Sequence, residues 1–498
     1  MRVEDIKDTG LLRRAAQILE QENKKLVQEV LNLKRRMLQM EHGDPEQIQL
    51  KIAELERQLA ARNKKLFGDS SEKRSGNNGK GKSEKKEQTG HGPRQQPELL
   101  QMPVVHELDK ADETCPHCGG QLAEWEGQLE ESEEVDVIER QFVLVKHKRK
   151  KYRCKCGQCI ETAPGPAKLI PGGRYSIDFA IAVAIAKYAD HLPLERQVSM
   201  MERQGLIIDS QTLWDQIEAL ARVLMSAHDV LHGSILTRKV IGADETFWRL
   251  MGDRKKKGGS GDRWQVWTIV APDAVCYRIL HSRGADAAAE VLKDYEGVVV
   301  CDGYSAYVAL KKRGKKFRLA HCWAHVRRKY VEIEELYPQE CGEVLDLIGQ
   351  LYEVERECLP GAAGDEMRRK VRGERSRAIV DKIHAWALQT KALPESALGK
   401  AVAYMGKMWE GLKLFLDDPA ISLDNNFTER EIRGVVVGRK NHYGSRSQRG
   451  TEVAALFYSL IESAKLVGLD PHVYLRRATL AALSGETIPW LKSITFSL

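Results

Sequence analysis

Residues 240–248 read Val-Ile-Gly-Ala-Asp-Glu-Thr-Phe-Trp, and residues 298–304 read Val-Val-Val-Cys-Asp-Gly-Tyr. In both, a run that opens on β-branched residues leads within a few positions into an aspartate, the composition of a strand that delivers an acid near its end. A lone aspartate at a strand end is more often a turn or cap residue. Glu245, next to Asp244, is a possible decoy, because strand alternation points it to the opposite face.

Working outward, Lys239 to Leu250, Arg263 to Pro272 and Val275 to Ser282 read as three consecutive strands, with Trp264, Val266, Trp267, Ile269 and Tyr277 as β-favouring bulk. Ala285 to Tyr295 reads as a helix and Gly297 to Cys301 as a fourth strand. A third acid lies far downstream, in the stretch 424–441, DNNFTEREIRGVVVGRKN. Its polar opening suits a helix start, and Glu429 is then followed by Arg430, Arg433, Arg439 and Lys440. A carboxylate among cations suits an acid that holds a divalent metal while guanidinium forks hold phosphates; a solvated helix face is the competing reading. Between Asp302 and Glu429, residues 331–423 are helical in pattern, with Leu345, Ile348 and Leu351 and later Ile379, Ile383 and Trp386 at helix spacing, broken at Pro360-Gly361 and Pro394. That segment reads as an all-helical insertion in the catalytic domain, with a separate domain as the alternative.

The 498 residues are 42% hydrophobic, enough for about three domains with sizeable cores. Lys plus Arg number 78 against 71 Asp plus Glu, a formal charge of +7 that permits a nucleic-acid partner without demanding one. There is no basic start followed by an apolar run, and the strongest apolar stretch, around Phe179 to Ala186, is far too short to span a bilayer. The composition reads as a cytosolic protein, so clustered thiols point to metal rather than disulfides.

At the N-terminus, Leu12, Leu19, Leu26, Leu33 and Met40 fall seven apart, with Ala16, Asn23, Val30 and Met37 at the intervening positions. This predicts a coiled coil over residues 1–68 and self-association, Asn23 fixing register in a two-stranded zipper. Gly43-Asp44-Pro45 breaks it, and Ile48, Ile52, Leu55, Leu59 and Leu66 restart the spacing as a hairpin or a second zipper segment. Residues 69–100 are rich in Gly, Ser, Asn, Lys and Gln and read as a flexible linker.

Five of the ten cysteines follow, as Cys115-Pro116-His117-Cys118 and Cys154-Lys155-Cys156-Gly157-Gln158-Cys159. Two short turns aiming pairs of thiolates at one point are what tetrahedral zinc needs. Cys115, Cys118, Cys156 and Cys159 form the ligand set of this reading, with Cys154 able to substitute, in a module spanning 101–170. The run Lys146-His147-Lys148-Arg149-Lys150-Lys151-Tyr152-Arg153 leading into the second turn reads as a phosphate-contact surface or as a solvated strand edge. Over 171–236, helices are predicted at Ile177 to Asp190, Leu194 to Arg203 and from Ser210 onward, with a turn at Gly205. A helix-turn-helix and a plain helical packing unit both fit.

The motifs Ala243-Asp244-Glu245-Thr246, Cys301-Asp302-Gly303-Tyr304, His321-Cys322-Trp323-Ala324-His325 with Arg327-Arg328-Lys329, and Asp424-Asn425-Asn426 through Gly438-Arg439-Lys440-Asn441 agree in order and spacing over nearly the whole chain. The chain resembles the insertion-sequence 66 family of bacterial transposases, the larger protein of the element, a family of the DDE class.

The resemblance implies an RNase H-like catalytic core over 237–450 with the helical insertion at about 331–423, followed by C-terminal helices over 451–498. It implies Asp244, Asp302 and Glu429 as the catalytic acids holding two Mg²⁺ or Mn²⁺ ions: Asp244 bridging, Asp302 on one, Glu429 completing the other. Cys322 and His325 resemble the family's Cys-x-x-His signature and read as structural support near the site. Arg327 and Arg328 would face DNA, as would Arg430, Arg433, Arg439 and Lys440.

The implied function is a nucleoid-associated enzyme that binds terminal inverted repeats as an oligomer, with companion proteins of the element as further partners, and cuts and joins DNA. A catalytically silent zinc-containing DNA-binding accessory protein and a nuclease without strand transfer are the alternatives. His442 to Gly450 departs from the more apolar sequence usual for the family.

Overall fold

The structure, a computed structural model, describes residues 142–153, 160–252 and 262–489, with a few residues at 51–57 and 117–120. The zipper seam at 12–40, the linker, and Cys115, Cys154, Cys156 and Cys159 lie outside the described residues. Two compact units are formed, one from Met1–Gly68 with Phe142–Leu498 and one from Asp69–Gln141. In the second, Cys118 is described and exposed.

In the larger unit, β1 (Lys151–Arg153) and β2 (Ile160–Thr162) pair antiparallel on either side of residues 154–159. Three helices come next: α1 (Ile177–Tyr188), α2 (Leu194–Arg203) and α3 (Ser210–Leu236). Their starts follow the capping chemistry of the sequence. Ser176 accepts from the Phe179 amide at 3.1 Å and Asp209 from the Thr212 amide at 2.6 Å. The 27-residue α3 is apolar along one side, from Leu213 to Ile235, and is buried there in the same core as the sheet that follows. The helical region is therefore packed onto the sheet rather than standing apart from it.

Strands β3 (Val240–Leu250), β4 (Asp262–Ala271) and β5 (Ala274–Leu280) form an antiparallel meander. After α4 (Ala285–Leu292), β6 (Val298–Cys301) returns parallel to β3. Helix α5 (Ser305–Lys312) then leads to β7 (Arg318–His321), parallel to β6, giving the order β5-β4-β3-β6-β7. The four strands and the helix read from sequence are present. The fifth strand went unread because Arg-Leu-Ala-His contains no β-branched residue.

Strand β6 shows why the sheet needs cover on both faces. Its alternate residues Val299 and Cys301 join the core made with α1, α3 and the C-terminal helices, whereas Val298 and Val300 join a second core. A short parallel strand buried on both sides is written as a continuous apolar run, and Val-Val-Val-Cys is such a run.

The second core is made by α6 (Trp323–Val331) and the predominantly helical segment after it: α7 (Pro338–Arg356), α8 (Asp365–Val371), a π-helical turn at Arg372–Ser376, α9 (Arg377–Gln389) and α10 (Ala397–Lys413). The breaks fall at the predicted prolines. Arg372 pins this segment: fully buried, it makes a two-point contact with Glu355 at 2.7 and 2.9 Å and donates to the Phe415 and Asp418 carbonyls. Leu55 and Glu54 are buried as well, with Tyr337 donating its hydroxyl to Glu54 and Arg57 paired to Glu340 at 3.2 Å. That part of the restarted leucine pattern thus docks on the helical segment of its own chain.

Helix α11 (Asn426–His442) crosses back to β3, and α12 (Gln448–Leu466) and α13 (Pro471–Leu483) close the first core. Ser459 and Ser463, on the buried side of α12, accept from the Tyr277 and Val275 amides at 2.8 and 2.9 Å, so the edge strand β5 is bonded by a helix instead of by another strand. Among the described residues, no helix is long and apolar enough to cross a membrane.

Candidate active site

Asp244 lies in the middle of β3, Asp302 immediately follows β6, and Glu429 is in the first turn of α11. The ladder between β3 and β6 runs in register to Gly242 opposite Val300, which leaves both aspartates just past its end. Asp302 is turned by Gly303, whose φ of +85° and tight packing against Met408 admit no side chain. Its Oδ1 accepts from the Tyr304 amide at 2.9 Å, and its carbonyl accepts from the Tyr404 hydroxyl at 3.2 Å. Tyr404 belongs to α10, so the helical segment after β7 bonds Asp302 directly.

Helix α11 is stitched to β3 along its whole length. Asn425 spends its amide on the strand rather than on capping, with Nδ2 donating to the Ala243 carbonyl at 3.0 Å. One residue earlier, Gly242 lets Thr428 come so close that a Cβ at 242 would fall 2.0 Å from its Oγ1. Further along, Arg439 donates to Thr246 Oγ1 at 3.1 Å and to the Phe247 carbonyl, with its guanidinium 3.7 Å from the centre of the Phe247 ring. The helix ends at Tyr443 in the left-handed conformation, and Ser445 bonds the Arg249 carbonyl at 3.0 Å. The segment after α11 therefore serves as the return tie to β3.

The charges of Asp302 and Glu429 both reach Asp244. Burial, then the charges of Glu245, Asp302 and Glu429, push the Asp244 carboxyl up to about 7, against a lowering bond from the Glu245 amide. Glu245 is likewise pushed up to about 7, first by burial, with Asp302 adding and Arg283 opposing. Glu429 Oε1 is buried with no hydrogen-bond partner and lies 3.7 Å from His325 Nε2.

Among the described residues no three His, Cys, Asp or Glu side chains are grouped closely enough to cage one ion. Mg²⁺ does not require such a cage, because it keeps waters and takes one or two carboxylates together with substrate oxygens. The Asp244 carboxyl, in the field of Asp302 and Glu429, and the unpartnered buried Glu429 Oε1 fit a divalent cation held through one or two carboxylates.

Cys322 is occupied otherwise. Its sulfur accepts from the Asn425 amide at 3.2 Å, and burial lifts its thiol to about 11, so it stays protonated and supports the start of α11. Arg430, Arg433 and Lys440 are exposed on one side of α11, and Arg327 and Arg328 are exposed on α6, whereas Arg439 is half-buried and bonded to β3. The Asn425 bond, the Arg283 contact to Glu245 and the Tyr404 contact were not readable in advance, since each joins residues distant in sequence.

With this geometry in place, residues 172–453 match the family described as Transposase IS66 family, more than half of the chain. The chain belongs to the IS66 family of transposases. Residues 112–157 match the zinc-finger binding domain of transposase IS66, a span that holds Cys115, Cys118, Cys154 and Cys156 and stops short of Cys159. This IS66-family chain is also similar to two uncharacterised proteins of Sinorhizobium fredii. It is 32% identical to y4jD over 77% of this chain and 79% of that protein, and 27% identical to y4hP over 73% and 69%. Among solved structures, the Mos1 strand transfer complex is matched at 10% identity over 32% of this chain and 60% of that one, with a TM-score of 0.12, at which no structural argument rests on it.

Proposed function

We propose that this IS66 transposase is the catalytic protein of its element, with an RNase H-like core in which Asp244, Asp302 and Glu429 hold the metal ions of a DNA cleavage and strand-transfer site. The observation that carries the reading is the field at Asp244: Asp302 at a strand end and Glu429 on a helix, both far away in sequence, add to burial in raising the Asp244 carboxyl. The strand order β5-β4-β3-β6-β7, with three antiparallel strands and two parallel ones, supports the RNase H-like assignment.

When bound, two Mg²⁺ or Mn²⁺ ions supply an activated oxygen nucleophile and a stabilised leaving oxygen at the scissile phosphodiester. The chain supplies the rest. Asp244, Asp302 and Glu429 would hold the ions through their carboxylates. The Asn425 and Arg439 bonds fix the helix carrying Glu429 against the strand carrying Asp244, and the exposed Arg430, Arg433, Lys440, Arg327 and Arg328 hold backbone phosphates of element ends and target. Arg439, in this reading, offers its remaining N–H groups to phosphate only after anchoring α11. The zinc module, with Cys115, Cys118 and two of Cys154, Cys156 and Cys159, and the N-terminal zipper serve DNA binding and self-association.

The test is cleavage and joining of a labelled element end with Mg²⁺ or Mn²⁺, comparing the wild type with Asp244→Asn, Asp302→Asn and Glu429→Gln. The expected outcome is joined product from the wild type and DNA binding without cutting from all three variants. Cutting without joining would leave a nuclease. Binding alone, with companion proteins supplied, would leave an accessory protein.

A further inference from the structure

The β3–β6 ladder stops at Gly242 and Val300, so no strand pairing sets Asp244 against Asp302. A side-chain path bridges the gap instead. Glu245, one residue past Asp244 and on the other face of β3, has a side chain only 1% exposed and is paired through Oε1 to Arg283 Nη2 at 2.8 Å. Its Oε2 is buried with no hydrogen-bond partner. Arg283 sits between β5 and α4 and lies over the Tyr304 ring, 4.2 Å from its centre. The Tyr304 hydroxyl donates back to the Arg283 carbonyl at 2.9 Å, and the Tyr304 amide donates to Asp302 Oδ1 at 2.9 Å.

We propose that Glu245 and Arg283 form a positioning pair that sets the Asp302 carboxylate against Asp244. The path runs from β3 through Glu245, Arg283 and Tyr304 to an oxygen of the second acid, and it replaces the ladder where the ladder ends. Arg283 suits the task because one N–H of its guanidinium holds the buried Glu245 carboxylate while its flat face rests on the Tyr304 ring. The pair acts through Asp302. The inference rests on the reading that Asp244 and Asp302 hold metal.

Charge and position predict opposite results, and that makes the test decisive. On charge alone, Arg283→Ala makes the acid cluster more negative and tightens a cation. Positioning instead predicts weaker binding, by about 10- to 100-fold, as for other residues that orient metal ligands. Mn²⁺ affinity is measured by titration calorimetry on the full, DNA-free, zinc-containing chain for wild type, Arg283→Ala, Arg283→Lys, Tyr304→Phe and Asp302→Asn, with thermal unfolding to confirm that each is folded.

The expected result is a loss in Arg283→Ala, partial recovery in Arg283→Lys and a smaller loss in Tyr304→Phe. Equal or tighter Mn²⁺ binding by Arg283→Ala overturns the pair while leaving the metal reading standing if Asp302→Asn has lost binding. Wild-type affinity in Asp302→Asn overturns both. Should Arg283→Ala not fold, Tyr304→Phe decides, and unchanged affinity there overturns the proposal.

Discussion

Asn425 donates through Nδ2 to the Ala243 carbonyl, 3.0 Å away, so the residue that opens the Glu429 helix is bonded to the residue that precedes Asp244. Two acids far apart in sequence are thereby fixed to each other through the backbone of one strand. Asn425 is 2% exposed, which leaves water no access to replace the bond. Asn425→Ala is expected to cost about 1–3 kcal/mol of stability, the penalty for an unsatisfied buried carbonyl, and to lower cleavage further than stability alone explains. Chemical denaturation alongside a cleavage assay checks this; a folded variant with wild-type cleavage would remove the tie from the site.

Gly242 makes the same contact possible sterically. Gly242→Ala would put a methyl 2.0 Å from Thr428 Oγ1 and push α11 off the strand, an overpacking cost of about 1–3 kcal/mol. Because the obstruction is one hydroxyl, Gly242→Ala combined with Thr428→Ala is expected to recover part of the loss. Melting temperatures of the two single variants and the double variant measure the recovery, and strict additivity would contradict it.

Arg433 and Arg439 are expected to separate. Arg433 is exposed, so Arg433→Ala should weaken DNA binding uniformly across sequences and reduce the salt slope by about one. Arg439 is bonded to Thr246 and Phe247, so Arg439→Ala should lower the unfolding midpoint and change the slope less. Binding isotherms at several salt concentrations decide; a full unit lost in Arg439→Ala with unchanged stability would make it a phosphate contact first.

The histidines in the core give a pH dependence with a definite sign. Burial, then the Arg278 charge, lowers His228 from its usual 6.5 to about 3 and His232 to about 4. His228 is set among the Tyr277 carbonyl, Ser459 and Cys276. Below about pH 6.5 the unfolded chain takes up protons that the folded one refuses, so stability is full above that pH and is lost progressively as pH falls toward 3–4. His228→Gln should flatten this acid limb in urea midpoints measured from pH 4 to 7, and an unchanged limb would assign the loss elsewhere.

Much of the sheet was legible because its residues obey local rules. Val-Val-Val-Cys is apolar because both faces of β6 are covered, and the meander of β3, β4 and β5 carries aromatic and β-branched bulk. Helix starts at Ile177 and Ser210 were legible for the same reason, and the caps that fix them, Ser176 and Asp209, are contacts three residues long. Strand β7 was hidden because four residues of ordinary composition become a strand only when a neighbouring edge offers them bonds. The reading of Glu245 as a decoy was right about its face, but that face proved to be buried and to hold Arg283.

The sequence by itself carried the motifs on which the family resemblance rests, and its local composition and periodicity marked the strands before Asp244 and Asp302 and the helices after residue 331, because such patterns are properties of short stretches. Only the tertiary structure decided that Asn425 and Arg439 hold α11 to β3, that Tyr404 of the insertion holds the Asp302 turn, and that Glu245 and Arg283 lie on the path between the two aspartates. Such bonds join groups tens or hundreds of residues apart. Their partners are chosen by which buried donors and acceptors packing leaves facing each other, and no local pattern of residues encodes that.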